Sequence, residues 1–99
     1  MKQIDMKELA KKVKNNESFN VIDVREDDEV VQGKIPGAKH IPLGEVPHRL
    51  DEIEKNKHYY MVCRSGGRSG RASEFLEEQG YDVTNVDGGM LAWDGDVEK

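Results

Sequence analysis

The sequence predicts an α/β fold in which a parallel sheet is covered by helices on both faces. Three observations carry that expectation. Short apolar runs, "NVIDV" (20–24) and "HYYMVC" (58–63), are rich in β-branched and aromatic residues and too brief for buried helices. Between such runs lie segments with helical spacing, and strands that alternate with helices give parallel sheets buried on both sides. The length, 99 residues, suits one domain with one core, so residues 1–99 are read as a single domain.

In order along the chain, Lys2 to Ile4 offer an edge strand. Met6, Leu9, Ala10 and Val13 then recur at helical spacing behind Asp5, a candidate N-cap with Glu8 three residues on, which predicts a helix from Asp5 to Lys14. The run 20–24 is the first central strand, and "EDDEVVQ" (26–32), closed by Gly33, is the second helical segment. "KHIP" (39–42) is a weaker strand, and "GEVPHRLDEIEKN" (44–56) one or two short helical turns. After the strand 58–63 comes "SGRASEFLEEQ", a helix starting near Ser69 and closed by Gly80. Its Ala72, Phe75 and Leu76 share one face, with Glu74, Glu77 and Glu78 largely on the other. "DVTNV" (82–86) is the last strand candidate.

Charge narrows the function. The 15 Lys and Arg against 20 Asp and Glu give a formal charge of -5, which leaves no electrostatic basis for binding nucleic acid or an anionic membrane. No apolar run approaches the length of about 18 residues that a membrane span needs. One cysteine cannot form an internal disulfide, and "MKQIDMKELAKKVKNN" has no apolar segment of the kind that directs secretion, so a cytoplasmic protein is expected.

That cysteine lies in "CRSGGRSGR" (63–71), which has three arginines and no acid. A thiol is a useful nucleophile as thiolate, and helix N-termini and arginines lower its pKa. Cys63 stands at a strand's carboxyl end, where parallel α/β folds bind ligands. Gly66 and Gly67 allow the chain to curl with its N–H groups inward, and the following helix adds unpaired donors. The result is an anion cradle, with hydroxyls from Ser65 and Ser69 and charge from Arg64 and Arg68. Arg71, inside the helix, is equally compatible with a solvated residue and a ligand. A Walker A reading fails for lack of its lysine. His40, His48 and His58 are scattered and build no metal site.

Four stretches in order then resemble the rhodanese-like, or thiosulfate sulfurtransferase, domain: "VIDVRE" (21–26), "GKIPGAKHIP" (33–42), "CRSGGRS" (63–69) and "VDGGMLAW" (86–93). The resemblance implies a mostly parallel five-stranded sheet flanked by helices on both faces, and a thiosulfate sulfurtransferase. Such an enzyme moves sulfane sulfur from thiosulfate or a persulfide donor to cyanide, a thiol or a protein acceptor. Cys63 would be its catalytic residue, and Arg64, Ser65, Gly66, Gly67, Arg68 and Ser69 the loop that holds the persulfide. No cofactor and no metal are implied. The partners would be a small anionic sulfur donor and a protein or low-molecular-weight thiol acceptor. The Arg68 side chain would either meet the donor or pair with Asp23 or Glu26 to hold the loop. Asp23 and Arg25 are read as a supporting ion pair. Pro36, Gly37 and Pro42 shape a loop, Gly88 and Gly89 a turn, and Trp93 core packing. Lys34 stands where the family often has His, and is assigned no role.

Two alternatives remain open. A cysteine-dependent phosphatase or arsenate reductase would use the same kind of thiolate, but those families typically have C-x5-R where this chain has C-x4-R, Cys63 to Arg68. A noncatalytic or regulatory rhodanese-like binding module is the other.

Overall fold

Along β4 (His58–Val62) the side chains part to opposite sides. Tyr59, Met61 and the following Cys63 enter one buried cluster, and Tyr60 and Val62 the other. β2 (Asn20–Asp23) does the same with Ile22 and Val21. Strands apolar on both faces must be covered twice, which is why these runs lack the alternation of a half-exposed sheet. The computed structural model, which describes residues 1–15 and 17–99, places them in the middle of a five-stranded sheet. Its order is β1-β5-β4-β2-β3, where β1 is Lys2–Asp5, β3 Lys39–His40 and β5 Asp82–Asp87. All four strand pairings are parallel.

β3 is shorter than the "KHIP" run, with Pro42 on the open edge of the sheet where no N–H is needed. The chain nevertheless stays against β2, with Ile41 N–H donating to Asp23 O and Leu43 N–H to Val24 O, both at 3.0 Å.

α1 (Met6–Lys14) starts where its cap predicts, with Glu8 N–H donating to Asp5 Oδ1 at 2.9 Å. Met6 and Leu9 bury its inner face in the cluster that holds Val21, Val62 and Val86. α2 (Asp27–Val30) is a single turn, shorter than the segment 26–32. The region 44–56 forms two 3₁₀ segments, Leu43–His48 and Leu50–Glu52, the first with Pro47 inside it. α3 (Gly67–Glu78) covers the opposite face through Ala72, Leu76 and partly buried Phe75. It stops in a Schellman motif, with Gly80 N–H donating to Glu77 O and Tyr81 N–H to Leu76 O. A further 3₁₀ turn, Gly89–Ala92, follows β5 and packs beside α1.

Because every strand runs the same way, the carboxyl ends of β2, β4 and β5 meet at one edge, at Asp23, Val62 and Asp87. Among the described residues no helix is long and apolar enough to cross a membrane.

Leu76 is fully buried and Leu91 is 67% exposed. Leu76→Ala is expected to lower the unfolding free energy by about 2–5 kcal/mol. Leu91→Ala should change it by less than about 0.5 kcal/mol, both read by urea denaturation.

Candidate active site

Cys63 is the first residue beyond β4, and it is 1% exposed. Immediately after it the chain turns back through Gly66, whose φ of 118° is a left-handed conformation that side chains resist. That turn brings Gly66 N–H to 3.0 Å from Cys63 Sγ and the Ser69 hydroxyl to 3.3 Å. Burial pushes the Cys63 thiol up, but hydrogen bonds from the Ser69 hydroxyl and from the N–H groups of Ser69, Gly66 and Ser65 outweigh it. The net effect holds the thiol below its ordinary range.

α3 begins at Gly67, two residues earlier than the spacing predicts, so its first turn lies inside the loop and supplies the Ser69 donor. The two glycines are not equivalent. Gly67 has no left-handed φ and open space where a Cβ would be, so Gly66 alone makes the curl possible.

Two walls hold this loop. One is the "GG" turn after β5: Gly88 N–H donates to Ser65 O at 2.9 Å, Met90 N–H to Cys63 O at 2.9 Å, and Leu91 N–H to Arg64 O at 3.0 Å. A Cβ on Gly89 would stand 2.3 Å from Cys63 O, so this glycine permits backbone-to-backbone contact beyond the turn expected of it. The other wall is α2. Arg68 forks onto Glu29, Nη1 to Oε1 at 2.6 Å and Nη2 to Oε2 at 2.8 Å. The Arg68 hydrogen bond holds the Glu29 carboxyl at about 2.

Arg68 therefore pairs with neither Asp23 nor Glu26, the partners expected of it. Asp23 is already taken by Arg25, which donates to it from its backbone N–H at 3.0 Å and from Nη2 at 2.8 Å in a buried pair. Arg25 Nη2 also donates to Gly33 O at 2.9 Å, so the pair fixes the end of β2 to the turn after α2. Its hydrogen bonds do not reach the Cys63 loop.

The remaining candidates are placed as follows. Ser65 and Arg64 are exposed, and among the described residues Arg64 and Arg71 form no ion pair. Arg64 lines a cleft of about 350 Å³ with Arg25, Glu29, Gln32, Met90 and Leu91. Lys34 Nζ donates to Ala38 O at 2.9 Å and to Glu98 at 2.6 Å, which ties down the last residues of the chain. His40 lies 2.6 Å from Arg25 O and His58 2.7 Å from the Thr84 hydroxyl, neither of them at the thiol.

Comparison with known proteins bears on what this loop is for. A model of the Rhodanese-like domain matches residues 5–96. The chain belongs to the rhodanese-like domain family. This rhodanese-like domain is 43% identical over 98 residues to YtwF of Bacillus subtilis (strain 168), covering 99% of this chain and 95% of that protein. A protein of Allochromatium vinosum named "Sulfurtransferase" is 38% identical over 92 residues, covering 92% of this chain and 86% of the other. The crystal structure of a rhodanese-like domain protein from Staphylococcus aureus superposes with a TM-score of 0.93 at 43% identity, over 99% and 97% of the two chains.

Glu29, which holds Arg68, and Asn85, whose Oδ1 accepts from the Ser69 hydroxyl at 2.6 Å, are not legible in the sequence as neighbours of the loop. Nothing in "EDDEVV" separates Glu29 from its acidic neighbours. Asn85 carried one signal, a polar residue two positions after Val83 and hence on the same buried side of β5.

Gly67→Ala is expected to leave the urea midpoint of this rhodanese-like domain unchanged or slightly raised. Gly66→Ala and Gly89→Ala should each lower stability by about 1–3 kcal/mol in the same measurement.

Proposed function

We propose that this domain is a sulfurtransferase that accepts sulfane sulfur on Cys63 and passes it to a thiophilic acceptor. One observation carries the reading: the sulfur of Cys63 sits in a cradle of N–H donors and a hydroxyl with no carboxylate on it, an environment that favours a charged sulfur. Kinship with a protein named "Sulfurtransferase" supports the same assignment.

With thiosulfate as donor, the Cys63 thiolate attacks the outer sulfur. A new S–S bond forms as the old one breaks, and sulfite leaves with the bonding pair. Cys63 now holds a persulfide, whose negative outer sulfur would be stabilised by the loop N–H groups. Cyanide, a thiolate or a protein thiolate then attacks that outer sulfur and returns Cys63 to thiolate, which makes the kinetics ping-pong. The other residues have distinct tasks. Gly66 and Ser69 supply the cradle, and Glu29 with Arg68 keeps the loop closed. Arg64, uncommitted and beside the cleft, would meet the anionic donor.

The Arg68–Glu29 fork also argues against a phosphatase or arsenate reductase. A phosphate or arsenate held inside the loop would draw on that arginine's charge, and here Glu29 already offsets the charge and takes two of the guanidinium N–H donors.

Reduced protein incubated with thiosulfate should gain the mass of one sulfur, and cyanide should remove it with thiocyanate released. Cys63→Ala should gain nothing. Absence of any gain, from thiosulfate or from a small persulfide, sinks the assignment. The loading rate should reach half its maximum below the ordinary pKa of a free cysteine, because the lowered thiol pKa makes thiolate available at lower pH. Arg64→Ala is expected to raise the KM for thiosulfate about tenfold, the effect of removing one hydrogen-bonded charge. It should leave the turnover of an uncharged donor unchanged in the same steady-state assay.

A further inference from the structure

Ser69 has one hydroxyl proton and two acceptors for it. Its Oγ lies 2.6 Å from Asn85 Oδ1 and 3.3 Å from Cys63 Sγ. All three residues are buried, with Asn85 only 2% exposed, so bulk water does not replace whichever bond is lost. The amide of Asn85 cannot turn round to relieve the competition. Its Nδ2 donates to the carbonyl of Gly66 and to Gln3 Oε1, each at 3.1 Å, and a reversed amide would set oxygen against oxygen at Gly66. Oδ1 is therefore committed as an acceptor, and Ser69 is its donor.

We propose that Asn85 is a positioning residue that sets the acidity of Cys63 by competing with the sulfur for the Ser69 hydroxyl proton. That role presupposes Cys63 as the reactive thiol, but not that it carries sulfur. In the neutral state the hydroxyl donates to Asn85, and its free lone pair faces the thiol S–H. When the thiol loses its proton to solvent, the hydroxyl turns to the thiolate and a buried amide oxygen is left without a donor. Ionisation at Cys63 thus carries a penalty located at Asn85. In a persulfide the negative charge moves to the outer sulfur, Sγ becomes a weak acceptor, and the hydroxyl returns to Asn85. The free thiolate is the one state of the sulfur that Asn85 disfavours, so Asn85 leaves it more reactive than the cradle alone would.

Other ionisable groups lie around the same loop. Arg68 faces the sulfur from α3, with Glu29 and Glu26 behind that arginine on the α2 side. Arg64 is its neighbour in the loop, the Asp23–Arg25 pair and His40 stand at the end of β2 and β3, and Asp87 stands at the end of β5 against Gly66. None of them bonds to Asn85, so a substitution at position 85 leaves them as a constant background.

The test is a double-mutant cycle on the whole chain: wild type, Ser69→Ala, Asn85→Leu and the pair together. Alkylation of Cys63 by iodoacetamide is followed against pH by intact mass, which is unambiguous with one cysteine in the chain. Ser69→Ala should move the midpoint up. Asn85→Leu should move it down, giving a several-fold larger thiolate fraction below the wild-type midpoint, and should cause no shift when Ser69 is already Ala. An equal shift in both backgrounds, or none in either, overturns the proposal, since a merely structural disturbance from the Asn85→Leu change would persist without the hydroxyl. Should Asn85→Leu not fold cooperatively, Asn85→Ala replaces it. It too removes the competing acceptor, so the midpoint should fall with Ser69 present and not with Ser69→Ala; equal falls, or none in either, overturn the proposal. Alkylation does not depend on sulfur transfer, so a protein that gains no sulfur from thiosulfate can still show this coupling.

Discussion

Cys63 is almost entirely out of water, and desolvation by itself would keep its thiol neutral. A buried sulfur can hold charge only if donors are already in place, since none can arrive from solvent at the moment of need. Side chains long enough to reach it would bring their own entropy cost, whereas backbone N–H groups at a helix start are fixed by the fold. Placing α3 so that its first turn falls on Sγ requires Gly66 to take a left-handed conformation directly before it. The left-handed Gly66 is thus what brings the donors onto the sulfur.

A curled loop is easily lost unless its ends are anchored, and the parallel sheet provides the anchors. β2, β4 and β5 all finish at one edge, so the segments that follow them are neighbours although they lie far apart in sequence. The segment after β5 reaches the loop by backbone hydrogen bonds to residues 63, 64 and 65, which only a glycine at position 89 permits. The segment after β2 reaches it through Glu29, itself held against the backbone of Glu26. An antiparallel arrangement would have sent one of these segments to the far edge.

The strands, the first helix, the cysteine loop and the Asp23–Arg25 pair could be read from the sequence because each depends on neighbours close by in the chain. The Asp5 cap, the apolar run of residues 58–63 and Gly80 are local signals, and local chemistry decides them. The same holds for Arg25, two residues from its partner. Glu29 and Asn85 are hidden for the opposite reason. Arg68 meets Glu29 across 39 residues and Ser69 meets Asn85 across 16, so their partnership is a property of strand order rather than of spacing. The start of α3 differs from its expected place for a related reason. A glycine pair marks a turn but does not say which glycine needs the left-handed conformation, and the φ of 118° that brings the Gly66 N–H to the sulfur decides it.

The engaged Arg68 also limits what the loop can hold. With the Arg68 charge paired to Glu29, the donors on the sulfur itself are N–H groups and one hydroxyl, which suits one negative charge on a compact atom. A phosphate or arsenate would have to sit inside the loop on the sulfur's own donors, whereas the sulfonate end of thiosulfate could stay in the cleft beside Arg64 while only its outer sulfur reaches Cys63. The carboxylate on α2 thus does more than close the loop. By pairing with Arg68, whose charge is coupled to Cys63, it leaves the sulfur's own hydrogen-bond donors as the main support for charge there.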